Sequence, residues 1–268
     1  MILLPTPTAS AEHMKVFLLG GQSNMDGRGA TSGLTGPYAD LQTPQPDVLF
    51  YEGGSLGDLQ PGGSQFGPEI TFGRTIADAL PTESFALIKY AVGGTDLYGD
   101  WNPSGGPNYT AFTNTVTNGL TALANAGHTT EIVGMLWTQG ENDARDGEGA
   151  AYEANLNNFI ASMRVSYGED LPFFFSRLSS GQTNLPASEL ALVRTAQDNV
   201  GAADANAYLI DTESFSLAND DLHFDADGQI ALGEAFGQAY LSTVPEPSSL
   251  VLLGVGAMML GQRRRPSN

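Results

Sequence analysis

Between residues 15 and 240, short apolar runs alternate with longer segments of helical period, and this alternation constrains the fold more than any other feature. Runs at 15–19, 48–51, 85–90, 132–137, 173–176 and 207–210 read as strands. Segments 69–80, 112–126, 150–167, 187–200 and 226–240 read as helices. Several of the strands are continuously apolar, as expected for parallel strands covered on both faces, so the pattern predicts an open, doubly wound α/β sheet. Ligands of such sheets bind beyond the carboxyl ends of the strands, which directs the search for chemistry to the loops that follow strands. Two stretches, 31–65 and 93–108, are long for connections and are expected to wall a cleft.

Composition narrows the function. The chain has 268 residues, 11 Lys and Arg against 30 Asp and Glu, and a formal net charge of −19, with no basic cluster in its body. The attraction that supplies most non-specific nucleic-acid affinity is therefore missing, and nucleic acid and anionic membrane are excluded as expected partners. With no Cys there is no thiol nucleophile, disulfide framework, thiolate metal site or iron–sulfur cluster. The 33 Gly and 15 Pro stay below the roughly 25–30% that marks low complexity. No internal repeat or linker divides the body.

The ends carry an address. Ala9, Ser10 and Ala11 match the A-x-A cleavage region of a secretory signal, but residues 1–4 are too few for its apolar segment, which an upstream start would supply. At the other end a Pro-Glu-Pro turn at 245–247 precedes an apolar stretch, 250–260, and three arginines, Arg263, Arg264 and Arg265. That stretch covers about 16 Å of a hydrocarbon core of about 30 Å, so no permanent membrane span is expected. The order resembles the PEP-CTERM sorting signal. The resemblance implies recognition by exosortase-type sorting machinery and a secreted, cell-surface or matrix location in a bacterium of Gram-negative type. The expected organisation is a signal-peptide remnant at 1–11, a catalytic domain at 12–243 and a sorting segment at 244–268.

Four strand exits carry candidate chemistry. The first is GGQSNMDG at 20–27, where Ser23 is the candidate nucleophile. It is not the G-x-S-x-G elbow of α/β-hydrolases, because Met25 stands where glycine is needed. A serine needs a base, normally histidine. Of three histidines, His13 falls in the expected flexible start and His128 precedes a strand, at the wrong end of the sheet. His223 remains, in NDDLHFDADG at 219–228, with Asp220 three residues earlier to orient its ring. Asp221 is a second candidate orienter. Donors for an oxyanion are offered by AVGGTD at 91–96 and TQGEND at 138–143: the backbone N–H of Gly94 or Gly93, the Asn142 amide, and the N–H of Ser23 itself.

These four blocks resemble those of SGNH hydrolases. More narrowly, GQSNM at 21–25 and WTQGE at 137–141 resemble the sialate O-acetylesterase-like branch, which includes acetylxylan esterases of carbohydrate esterase family six. The resemblance implies a three-layer α/β/α fold with a mostly parallel, flavodoxin-like sheet. It also implies metal- and cofactor-independent removal of O-acetyl groups from sugars through an acyl-serine. Carried over, Ser23 is the nucleophile, His223 the base, Asp220 its orienter, and Ser23, Gly94 and Asn142 surround the oxyanion. This branch often has a smaller residue at the position of Asn142, so Gln139 is an alternative donor. Gln22, Asn24 and Glu141 are expected to hold the nucleophile loop.

Other readings are weighed against this one. Counting from His223, Asp225, Asp227, Gly228 and Glu234 partly match a calcium loop, but the first position should be Asp, and a helix from Ala226 would draw the later ligands out of a loop. Asp143, Asp146 and Glu148 read as a solvated helix entrance. Tyr98, Trp101 and Tyr109 could stack on sugar faces or belong to the core. The competing functions are a non-catalytic glycan-binding surface protein on the same fold, and a lipid or aryl esterase.

Overall fold

The computed structural model describes residues 12–244; the expected signal remnant and all but the first residue of the expected sorting segment lie outside the described residues. The chain runs through β1 (His13–Gly21), α1 (Ser23–Asp26), β2 (Gly29–Ala30), β3 (Gln45–Glu52), β4 (Ser55–Leu59), β5 (Gln65–Phe66), α2 (Glu69–Ala79) and β6 (Ser84–Ala91). It continues with α3 (Pro107–Asn125), β7 (Thr129–Thr138), α4 (Glu141–Asp146), α5 (Tyr152–Tyr167), β8 (Phe173–Ser176), α6 (Ala187–Ala203), β9 (Ala207–Ile210) and α7 (Ala226–Thr243).

Seven strands form one sheet in the order β4-β3-β6-β1-β7-β8-β9. All neighbours are parallel except the edge hairpin β3–β4. Without that hairpin the order β6-β1-β7-β8-β9 is flavodoxin-like, with β1 flanked by the next two strands of this parallel set. The expected fold class is thus observed. Each face of the sheet has its own core: Val16, Leu18, Ile88, Trp137 and Phe175 pack under α3, α5 and α6, whereas Phe17, Leu19, Leu87 and Phe174 pack under α2 and α7. Alternate residues of one strand therefore enter different cores, which is why runs such as 16–19, 85–88 and 173–175 are apolar at successive positions.

Register positions the site. Gly21 at the end of β1 is paired with both Ala91 of β6 and Thr138 of β7, so three strands stop level with one another. Gly21 has φ +141°, and a Cβ there would stand 2.1 Å from the Thr138 carbonyl oxygen; only glycine lets the chain turn so close to β7.

Two sequence expectations need correction. His13 is not in a flexible start: it begins β1 opposite Thr129, with its ring against Thr129 and Glu131. Segment 31–65 is not a plain loop around one strand; it also holds β4, β5 and two 3-10 turns. Their short, polar segments lack the apolar run by which strands were recognised.

Candidate active site

Ser23 opens α1 directly after β1 and is 5% exposed. Its Oγ lies 3.0 Å from His223 Nε2. The other ring nitrogen, Nδ1, lies 2.6 Å from Asp220 Oδ2. The second Asp220 oxygen accepts from the backbone N–H groups of His223 (3.0 Å) and Leu222 (3.1 Å). Burial would raise the Asp220 carboxyl, but these hydrogen bonds and the His223 ring outweigh it and hold the group below its ordinary range. The structure therefore brings Ser23, His223 and Asp220 into one line although 200 residues separate serine and histidine. Asp221 is not in that line. Its backbone is left-handed (φ 51°), and its carboxylate takes the hydroxyl of Thr183 at 3.1 Å.

Asn24 and Gln22, either side of Ser23, tie it to different strand exits. Gln22 Oε1 accepts from the backbone N–H groups of Gly140 (3.3 Å) and Asn142 (3.2 Å) and from Gln139 Nε2 (3.2 Å). Asn24 Oδ1 accepts from Phe224 N–H at 2.9 Å, while its Nδ2 donates to Glu141 at 2.5 Å and to the Leu222 carbonyl at 3.3 Å. Glu141 is buried, and burial raises its carboxyl above the ordinary range; its Oε2 has no partner among the described residues. Gln182, fully buried in the segment after β8, donates to Leu222 O and Glu141. Sequence reading missed Gln182, because nothing in the pattern around it signals a loop that returns under His223.

The donors divide by what they already hold. Gln139 is fully buried, and its amide donates to Gln22, to the Thr95 carbonyl and to Asp143. Asn142 is 9% exposed and donates one N–H to Asp146 at 2.7 Å, leaving its second free among the described residues. The N–H of Ser23 has no intrahelical acceptor, being the first of its helix. Gly93 abuts the site: a Cβ on it would stand 3.4 Å from Ser23 Cβ. Gly94, at φ +73°, would direct a Cβ into open space.

Asp143 corrects a further expectation. Rather than a solvated entrance, it is fully buried, and its carboxylate accepts from the N–H groups of Leu97 (2.9 Å) and Tyr98 (3.2 Å) and from Gln139. Burial pushes it up to about 7 against those bonds. It was misread because four acidic or amide side chains at a helix start look the same whether the start is wet or packed under a loop. Of the three aromatics, Trp101 is core, edge-on to Trp137 at 5.0 Å, and Tyr109 packs on Phe159 at 6.2 Å. Tyr98 is 52% exposed. Two of the three carboxylates of the calcium-loop pattern are engaged elsewhere: Asp225 caps α7 through Gly228 N–H at 2.9 Å, and Glu234 accepts from the Tyr38 hydroxyl at 2.8 Å.

With this geometry in hand, the sequence model of a family described as carbohydrate esterase, sialic acid-specific acetylesterase, matches residues 13–242. The chain belongs to that family. It is accordingly a carbohydrate O-acetylesterase by family. A second model, the PEP-CTERM protein-sorting motif, matches residues 243–265, and that motif marks proteins for export. A probable carbohydrate esterase of Arabidopsis thaliana is 26% identical over 254 residues, covering 85% of this chain and 90% of its own. An Arabidopsis thaliana crystal structure superposes with a TM-score of 0.71 at 24% identity, covering 85% of this chain and 98% of that one. NanS superposes with a TM-score of 0.64 at 14% identity, covering 88% and 98%. A carbohydrate acetylesterase from Xanthomonas citri gives 0.62 at 19% identity, covering 84% of this chain but only 55% of that one. At these identities the structures establish the shared fold.

Proposed function

We propose that the protein is a serine esterase that removes O-acetyl groups from carbohydrate through an acyl-serine intermediate. The observation that carries this reading is the hydrogen-bonded line Ser23–His223–Asp220 at the level carboxyl ends of β1, β6 and β7. Ser23 Oγ attacks the acetyl carbonyl carbon as His223 Nε2 takes its proton, and Asp220 holds the ring and stabilises the cation so formed. The negative oxygen of the tetrahedral intermediate is met by N–H groups of Ser23 and of the Gly93–Gly94 turn and by the free N–H of Asn142. Collapse expels the sugar oxygen, which takes the proton from His223. A water, deprotonated by the same ring, then attacks the acetyl-serine and releases acetate.

No step calls on a metal or cofactor. Acetylated carbohydrate is the substrate class, in keeping with the family description. Cleavage of the tail by exosortase-type machinery after export would leave the enzyme at the cell surface or in the extracellular matrix, where acetylated polysaccharide is met. Acetate release from an aryl acetate and from acetylated xylan, with and without chelator, tests the reading. Turnover that is lost in Ser23→Ala and indifferent to chelator is expected; a folded wild-type protein that releases no acetate from these or from acetylated sialic acid would overturn it.

A further inference from the structure

Beside the Ser23 turn the surface opens into a polar cavity of about 260 Å³, whose walls include Asp26, Arg28, Glu52, Gln65, Glu69 and Lys89. Its floor is a buried ion pair. Lys89 Nζ lies 2.8 Å from Glu69 Oε2, and the two side chains are 2% and 4% exposed. The same ammonium donates to the Asp26 carbonyl at 2.9 Å, with Glu52 at 3.6 Å. Burial disfavours the charge on Lys89, but Glu69, Glu52 and Asp26 outweigh it and keep the group above its ordinary range.

Arg28 joins this cavity to the site. Its Nη1 is held by Asp26 at 2.5 Å and by the Gly27 carbonyl at 2.8 Å. Its Nη2 has no acceptor among the described residues. It reaches to 2.9 Å from where a Cβ on Gly93 would stand, a point that is also 3.4 Å from Ser23 Cβ. A substrate attached to Ser23 would therefore pass the free edge of the guanidinium on its way into the cavity.

The charges here specify what can bind. Burying an ion pair gives little net stability, so its presence on the floor of a solvent-open cavity beside Ser23 calls for another use. Each cation is neutralised in place, and three carboxylates face two cations. Carboxylate oxygens with spare lone pairs, together with the unbonded Nη2, offer the mixture of acceptors and donors that hydroxyl groups satisfy. A carboxylate entering the same space would meet an excess of negative charge. Elsewhere the supply of cations is no better: every Lys and Arg among the described residues is ion-paired except Arg145, which is exposed on α4 next to Asp146.

We propose that this cavity is a subsite for a neutral, hydroxyl-bearing sugar ring of the substrate, and that it selects against sugars carrying a carboxylate. The volume suits one such ring, lying below the roughly 300–1,000 Å³ of drug-sized sites. The proposal rests on the esterase reading and gives it a neutral-sugar substrate, in contrast to the sialic acid that the family description names.

The test compares kcat/KM for para-nitrophenyl acetate, acetylated xylo-oligosaccharide and O-acetylated sialic acid. Wild type is expected to favour the neutral oligosaccharide over the sialic acid by about tenfold or more. Gln65→Trp, which fills the cavity from an exposed position, and Arg28→Met should each lower the ratio of oligosaccharide to aryl acetate turnover by about tenfold. Preference for the sialic acid, or an unchanged ratio in both folded variants, would overturn the subsite while leaving the esterase reading intact. Failure of wild type on the aryl acetate would overturn that reading and the subsite together.

Discussion

Asn24 grips the chain on both sides of His223: its side-chain oxygen takes the N–H of Phe224 at 2.9 Å and its amide reaches the carbonyl of Leu222 at 3.3 Å. The residue that follows Ser23 in sequence thereby fixes the loop that brings the histidine to it. Asn24→Ala is expected to leave the fold intact while displacing His223, lowering kcat on an aryl acetate by about a hundredfold with a smaller change in KM. Steady-state kinetics on the folded variant check this, and a loss confined to KM would refute the positioning role.

Asp220 and Asp221 should separate sharply despite being adjacent. Asp220 meets the His223 ring at 2.6 Å, whereas Asp221 is bonded to Thr183. Asp220→Asn is expected to cost about two to four orders of magnitude in kcat, because it no longer holds the reactive tautomer. Asp221→Ala should stay within about twofold in kcat. Equal losses in the two variants would mean that the second carboxylate shares the work.

Stability should depend on pH through Asp143. Its folded carboxyl is raised from 3.8 to about 7 by burial. Between those values the folded chain keeps a proton that the unfolded chain has released, so this contribution is complete below about pH 4 and is lost as pH rises through about 7. The stability difference between wild type and Asp143→Asn should therefore shrink with rising pH, at no more than about 1.4 kcal/mol per unit. Urea melts at several pH values measure it; a difference that is constant or grows with pH contradicts the assignment.

The aromatics of the loop after β6 divide into scaffold and surface. Trp101 is fully buried against Trp137, and its indole N–H donates to Thr95 at 2.9 Å, so Trp101→Ala should destabilise by about 3–5 kcal/mol. Tyr98→Ala, at an exposed position, should move the denaturation midpoint little. Comparable destabilisation by both would show that Tyr98 is packed in solution.

What the sequence determined by itself is the architecture and the leading candidates for the site, Ser23, Asp220 and His223. Apolar runs such as 173–175 mark strands because burial on both faces favours apolar side chains at successive positions, and the four loop motifs are local strings that follow such strands. Strand direction also set His128 at the wrong end of the sheet, whereas His13 was passed over for a flexible start that proved to be the first residue of β1. Local patterning cannot say which partner a polar side chain finds. That Asp143 lies buried under Leu97 and Tyr98, that Gln182 supports Leu222, that Gln139 has its amide committed while Asn142 keeps one N–H free, and that Arg28 links Ser23 to a cavity floored by Lys89 and Glu69 were decided only in the tertiary structure. Some of these contacts join segments far apart in the chain and others, such as Asn142 with Asp146, are local, but all depend on burial and geometry that exist only once the sheet has brought its strand ends level.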